Sequence, residues 1–147
     1  MNKFEKPMGK KICDTGRNIK RFLSYHLDEY SLGDGQFGIL YEIAGNEGIS
    51  QEQISKNRNV DKATIAKAVK KLIDNDYIYR VKDKQDKRAY CLYCTEKGIK
   101  FIPEIKRIII LENATVTKGF TQEEVDLLSH LLERVTTNID DFFEKEK

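Results

Sequence analysis

The 147-residue chain has no apolar run near the ~18 residues that a membrane-spanning helix needs. Met1 to Lys11 is polar and charged and carries no signal-peptide pattern, so the expected place of work is the cytoplasm, with no membrane partner. There are only three cysteines and two histidines. Cys91-x-x-Cys94 has the spacing of half a zinc or redox motif, but no second cysteine pair completes it, and His26 and His130 are the only imidazoles. On a strand, residues three apart lie ~10 Å from each other on opposite faces, whereas a disulfide needs Cα atoms within ~7 Å. No metal and no cofactor is expected. Paired carboxylates, a Ser-His-Asp set and a glycine-rich phosphate loop are also missing, so the chain is not expected to be an enzyme.

What the chain does have is charge, unevenly spread over a composition that is 39% hydrophobic and can support a core. The formal net charge is +2, yet Ser50 to Tyr90 holds 11 lysines and arginines against 6 acidic residues, and Phe120 to Lys147 holds 3 against 8. A basic middle and an acidic end suit a protein that presents one face to nucleic acid and holds the other away.

Met1 to Gly9, with Pro7, reads as a loose start. From Lys10 to Tyr30, Ile12, Ile19, Phe22, Leu23, Leu27 and Tyr30 recur at helical spacing and predict a first helix. Gly33-Asp34-Gly35 breaks it; Gln36 to Asn46 forms a second, which Gly48 ends. Ser50 with Gln53 is a capping box, and Asp61 is an N-cap, so two short helices meet at a turn near Asn57 to Val60. In the second of these, Ile65, Ala68, Val69, Leu72 and Ile73 share one side, and Ala63, Ala66, Lys67, Lys70 and Lys71 the other. Two methyl-sized side chains followed by lysines permit close approach to a DNA groove and then supply positive charge; a merely solvated lysine face has the same pattern. Tyr77 to Lys82 and Arg88 to Cys94 read as the strands of a hairpin with a charged tip between them.

Thr95 is placed to cap a fifth helix, which Pro103 should kink and which should stop at about Gly119. Phe120 to Val125 then combines a capping box, Thr121 with Glu124, and a hydrophobic staple, Phe120 with Val125. Val125, Leu128, Leu131, Leu132, Val135, Ile139, Phe142 and Phe143 continue as an apolar stripe. The first, fifth and sixth helices carry more apolar surface than a small domain can cover, which predicts a homodimer.

In the hairpin the chain resembles the MarR family of winged helix-turn-helix transcriptional regulators. The resemblance rests on Asp86-Lys87-Arg88, on Cys94-Thr95 at the strand end and on Glu96-Lys97-Gly98 after it. Upstream, Leu32 with Gln36-Phe37 and Leu40 is similar to the family's second helix. Two residues depart from the family pattern, Asp76 where glycine is usual and Cys94 where leucine is usual; Cys94 reads as a small buried hydrophobe in that place. The expected fold is mainly α with a small β-wing: a winged helix-turn-helix lobe at residues 32–95, and a helical dimerisation region from 1–31 and 96–147.

The function expected is a sequence-specific DNA-binding regulator, a repressor that binds a pseudo-palindromic operator in double-stranded DNA as a homodimer. Lys62, Ala63, Ala66 and Lys67 would lie nearest base edges, with Thr64 also a candidate contact, and Lys70 and Lys71 near phosphates. Arg88 would enter the minor groove, its direction fixed by Asp86. The competing expectation is a winged-helix module that binds another protein, for which the lysines only provide solubility; steep salt dependence of duplex binding separates the two. Release would come from a small ligand or an oxidant. The resemblance implies a small aromatic ligand, for which Phe22, Tyr25, His26, Tyr41 and Phe101 are the candidates, unless these rings are plain core. It also implies a redox alternative at Cys13, near Lys10, Lys11 and Arg17, with Tyr25, Tyr30 and Tyr41 available; otherwise Cys13 is a small buried side chain.

Overall fold

A computed structural model describes residues 7–146; the loose start expected at Met1 to Gly9 lies outside them up to residue 6, and Met8 and Gly9 already belong to the first helix. Six helices and two strands follow in the order α1 Met8–Leu27, α2 Asp34–Gly45, α3 Gln51–Arg58, α4 Lys62–Asp74, β1 Ile78–Lys82, β2 Tyr90–Cys94, α5 Glu96–Val116 and α6 Gln122–Lys145. The first helix is shorter than its apolar spacing predicts, because Asp28–Tyr30 tightens into a 3-10 turn that Ser31 closes with φ 55°. Gly48 does not end α2. That helix stops at Gly45, and Gly48 serves the next loop, where φ +88° lets its N–H reach the Leu92 carbonyl. α5 runs through Pro103 as one helix, and the carbonyl that loses its donor belongs to Ile99, an exposed residue.

The structure separates into two compact units, Met1–Glu112 and Asn113–Lys147. In the first, α2, α3 and α4 pack together and against the antiparallel β1–β2 hairpin, with Ile78 opposite Cys94 and Lys82 opposite Tyr90. A bridge from Ser50 to Cys91 adds the start of α3 to the outer edge of β2. The core of this unit contains Leu40, Ile43, Ile54, Ile65, Leu72, Ile78 and Leu92, and continues into α1 through Leu23 and Leu27 and into α5 through Phe101, Ile105 and Ile108. α1 and α5 therefore share the lobe's core. The second unit contains α6, which has no buried residue. Its start is fixed as the sequence predicts: Thr121 Oγ1 accepts the Glu124 N–H at 3.2 Å, and the Glu124 carboxylate accepts the Thr121 N–H at 2.9 Å.

Asp76 stands where the turn from α4 into β1 adopts φ 59°, the left-handed region that a side chain disfavours. Its carbonyl accepts the Thr95 hydroxyl at 2.6 Å, a backbone bond that any residue would keep. Asp76→Gly should therefore raise stability by up to about 1 kcal/mol, the relief of strain exceeding the extra freedom of the unfolded glycine chain. Urea unfolding at one protein concentration reads this as a higher midpoint; an unchanged or lower midpoint would show that the turn carries no strain.

Candidate nucleic-acid interface

The turn before α4 is closed by three local devices. Asn59 takes φ 49° at the end of α3, the Ser55 hydroxyl donates to the Val60 carbonyl at 2.6 Å, and Asp61 accepts the Thr64 N–H at 2.9 Å. The Thr64 hydroxyl donates to the other Asp61 oxygen at 2.6 Å, and these bonds, the hydroxyl's first, hold the Asp61 carboxyl below its ordinary range. The Thr64 hydroxyl proton is thus committed to the cap.

α4 presents the faces its spacing predicts. Ile65, Ala68, Val69 and Leu72 are buried, Ile73 is half-buried, and Lys62, Ala63, Ala66, Lys67, Lys70 and Lys71 are exposed. The lysines differ in their neighbours, however. Lys70 pairs with Asp74 at 2.7 Å and Lys62 approaches Glu52 at 3.8 Å, while Lys67 and Lys71 meet no carboxylate among the described residues. One of the four positive charges along the helix, that of Lys70, is therefore already compensated, and Lys62 shares Glu52 with Lys56.

At the wing tip the structure corrects one expectation. Asp86 does not orient the Arg88 guanidinium; its Oδ1 accepts the Arg88 backbone N–H at 2.9 Å, and the guanidinium has no partner among the described residues. A carboxylate two residues back lies within reach of the amide, whereas the guanidinium stands at the end of a long, solvated side chain. Asp86 shapes the tip, and Arg88 projects from it. Asp83 does the same at the other side of the turn, accepting the N–H groups of Gln85 at 2.7 Å and Asp86 at 3.0 Å. Those bonds, led by that from Asp86, lower its carboxyl from the ordinary value. Asp83 is a structural residue that sequence reasoning passed over, although an aspartate two residues before the amide it binds is an Asx-turn signal.

Arg80 was also missed. It is exposed on β1, its guanidinium carbon 4.5 Å from the centre of the Tyr90 ring, and it lines both the cleft beside Arg88 and the cleft along α4. Nothing in a single charged residue of a strand reveals that position; it follows from the register of β1 against β2.

A helix-turn-helix and wing with this order of elements can be compared with known proteins. Residues 21–105 match the model of the transcriptional regulator SarA/Rot family. The HTH-type transcriptional regulator YybA of Bacillus subtilis is 37% identical over 131 residues, covering 89% of this chain and 87% of that protein. The chain belongs to the MarR/SarA family of transcriptional regulators. Among solved structures, a MarR protein from Peptoclostridium difficile is 29% identical with a TM-score of 0.89, covering 100% of this chain and 96% of its own. A MarR family regulator from Listeria monocytogenes, complexed with 26mer DNA, is 33% identical with a TM-score of 0.83, covering 93% of this chain and 91% of its own.

In this MarR/SarA regulator the aromatic candidates divide. Phe22 and Tyr25 both contact His26, with ring centres at 4.6 and 5.2 Å, and Tyr25 is largely exposed. Phe101 is buried, its ring 4.5 Å from Tyr30 and 5.5 Å from Tyr77. Tyr41 is exposed on α2. Cys13 is exposed on α1, and two of its basic neighbours, Lys10 and Arg17, both pair with Asp14. Cys91 and Cys94 are free and lie on opposite faces of β2; burial pushes the Cys94 thiol up to about 11, with Glu47 a lesser cause, which keeps it a neutral hydrophobe. No helix among the described residues is long and apolar enough to cross a membrane.

Proposed function

We propose that the chain binds a pseudo-palindromic operator in double-stranded DNA as a homodimer and represses transcription in the cytoplasm until a small aromatic ligand or an oxidant releases it. The observation that carries this reading is the pairing of an exposed Ala63, Ala66 and Lys67 face on α4 with an unpartnered Arg88 on the adjacent wing tip. The small side chains let α4 approach base edges in a major groove, Lys67 and Lys71 have charge to give to it, and a free guanidinium suits the narrow, negative minor groove beside it. The Listeria relative's complex with DNA supports the same use of this fold. Residues 32–95 form the reading lobe; 1–31 and 96–147 bring two copies together. For release, the Phe22, Tyr25 and His26 group supports a ligand, and the exposed Cys13 supports an oxidant.

The test is a duplex selected from random sequence on the full-length protein, followed by its affinity for Arg88→Ala. That variant should lose ~1 to 3 kcal/mol of specific binding while its melting temperature stays within about a degree, since the side chain is exposed and unpartnered. Affinity equal to the parent's would remove the wing from recognition. Binding that ignores salt would favour a protein-interaction module instead.

A further inference from the structure

Two clefts open on the exposed side of the lobe and meet at Arg80. One, of about 440 Å³, lies towards the wing and is lined by Gln51, Lys62, Arg88 and Tyr90 among others; the second, of about 420 Å³, lies along α4 and is lined by Ala66 and Lys70. Arg80 and Gln51 line both, so they form the ridge between the recognition helix and the wing. The register explains why Arg80 stands there. It pairs with Leu92 while Lys82 pairs with Tyr90, so Arg80 and Tyr90 are diagonal neighbours on the same face of the hairpin, and the ring supports the guanidinium at 4.5 Å. No carboxylate pairs with Arg80 among the described residues, whereas Glu52, which lines the wing-side cleft, faces Lys56 at 3.4 Å and Lys62 at 3.8 Å. Asp86, the other acid at that cleft, is occupied by the backbone of the tip.

A winged helix that puts α4 in a major groove and Arg88 in the neighbouring minor groove must straddle the sugar-phosphate strand that separates the two grooves. That strand has to pass over the ridge between them. We propose that Arg80, held over the Tyr90 ring, is a phosphate clamp for the strand between the two grooves, fixing how far the recognition helix and the wing are inserted together. This rests on the DNA-binding reading above. A guanidinium over a ring face still has N–H groups to donate to a phosphate, and a lysine at the same place would carry the charge without that fork of donors. Contacts of this kind position the protein and carry no base information.

The experiment uses the full-length protein, the duplex selected on the parent, and an unrelated duplex of equal length, each titrated across a salt series. Arg80→Gln should weaken both duplexes by the same factor, about tenfold, and reduce the salt slope by ~1. Arg80→Lys should recover the slope but only part of the affinity. Tyr90→Phe should match the parent and Tyr90→Leu should resemble Arg80→Lys, because the ring and not the hydroxyl holds the guanidinium. Thermal melting of each variant confirms that the hairpin is intact. If Arg80→Gln keeps the parent's slope and affinity, the clamp is wrong while DNA binding stands; if its loss is confined to the selected duplex, Arg80 reads a base and the clamp is again wrong. A parent protein with no salt-dependent affinity for either duplex would overturn the underlying reading itself.

Discussion

Gly98→Ala should lower the stability of the regulator by about 3 kcal/mol or more, a fall in melting temperature on the order of 10 °C. Gly98 lies in the first turn of α5, where its N–H donates to Thr95 Oγ1 at 3.0 Å. A methyl group there would lie 2.1 Å from the Tyr77 carbonyl oxygen and 3.4 Å from the Cys94 Cβ. The carbonyl cannot swing aside, because it already accepts the Thr95 N–H at 3.0 Å, and the Thr95 hydroxyl is tied to the neighbouring Asp76 carbonyl at 2.6 Å. The helix start and the strand start would have to separate, and the ties around them would loosen together: Lys97 donates to the Asn75 carbonyl at 2.7 Å and lies over the Tyr77 ring, whose hydroxyl donates to the Tyr30 carbonyl at 2.8 Å. Gly16→Ala is the matched contrast. It lies inside α1 with nothing within 4 Å of an added Cβ, and it should raise stability by roughly 0.5 to 1 kcal/mol. Calorimetry of the two variants beside the parent decides the matter; a Gly98→Ala protein that melts with the parent would mean that α5 does not approach β1 so closely.

The same corner of the molecule shows what kind of information the chain carried openly. Helix starts were readable because a cap is a local device: Ser50 with Gln53, Asp61 with Thr64 and Thr121 with Glu124 each act within three residues, and all three occur where the side chains imply. The faces of α4 were readable because burial follows the helical period once one apolar stripe is present. Pairings between neighbouring turns were available but passed over, as with Lys70 and Asp74, four residues apart. What could not be read was anything set by two elements far apart in sequence. Arg80 becomes central only when β1 is registered on β2 and α4 packs beside it, and Phe101 enters the core because Tyr30 and Tyr77 come to it from elsewhere in the chain. Asp86 was misread for a smaller reason: a carboxylate in a tight turn has a backbone amide nearer than any side chain.

Truncation before Thr121 should abolish the homodimer proposed above, and with it tight binding to a palindromic duplex. α6 displays Leu128, Leu131, Leu132, Ile139, Phe142 and Phe143 with 37% to 60% of each exposed, a continuous stripe that water would have to cover along a helix of 24 residues. Burying the rest of these side chains against a second copy contributes on the order of 10 kcal/mol before the costs of association, enough to hold two chains together. Because a truncated chain can fail by misfolding, the decisive variant keeps full length: Leu131→Glu with Ile139→Glu puts two charges into the stripe and leaves the Thr121 cap intact. Sedimentation should find a monomer with unchanged helix content, and affinity for the full palindrome should fall by on the order of 10²-fold or more, while affinity for a half-site stays near the parent's. Salt adds a check of sign. Residues 120–147 carry a net charge of −5 on each copy, so raising salt should tighten self-association by screening that repulsion, while it weakens DNA binding by competing for phosphates. A charged-stripe variant that still sediments as a well-folded dimer would place the interface on other helices and leave the α6 face for a different occupant.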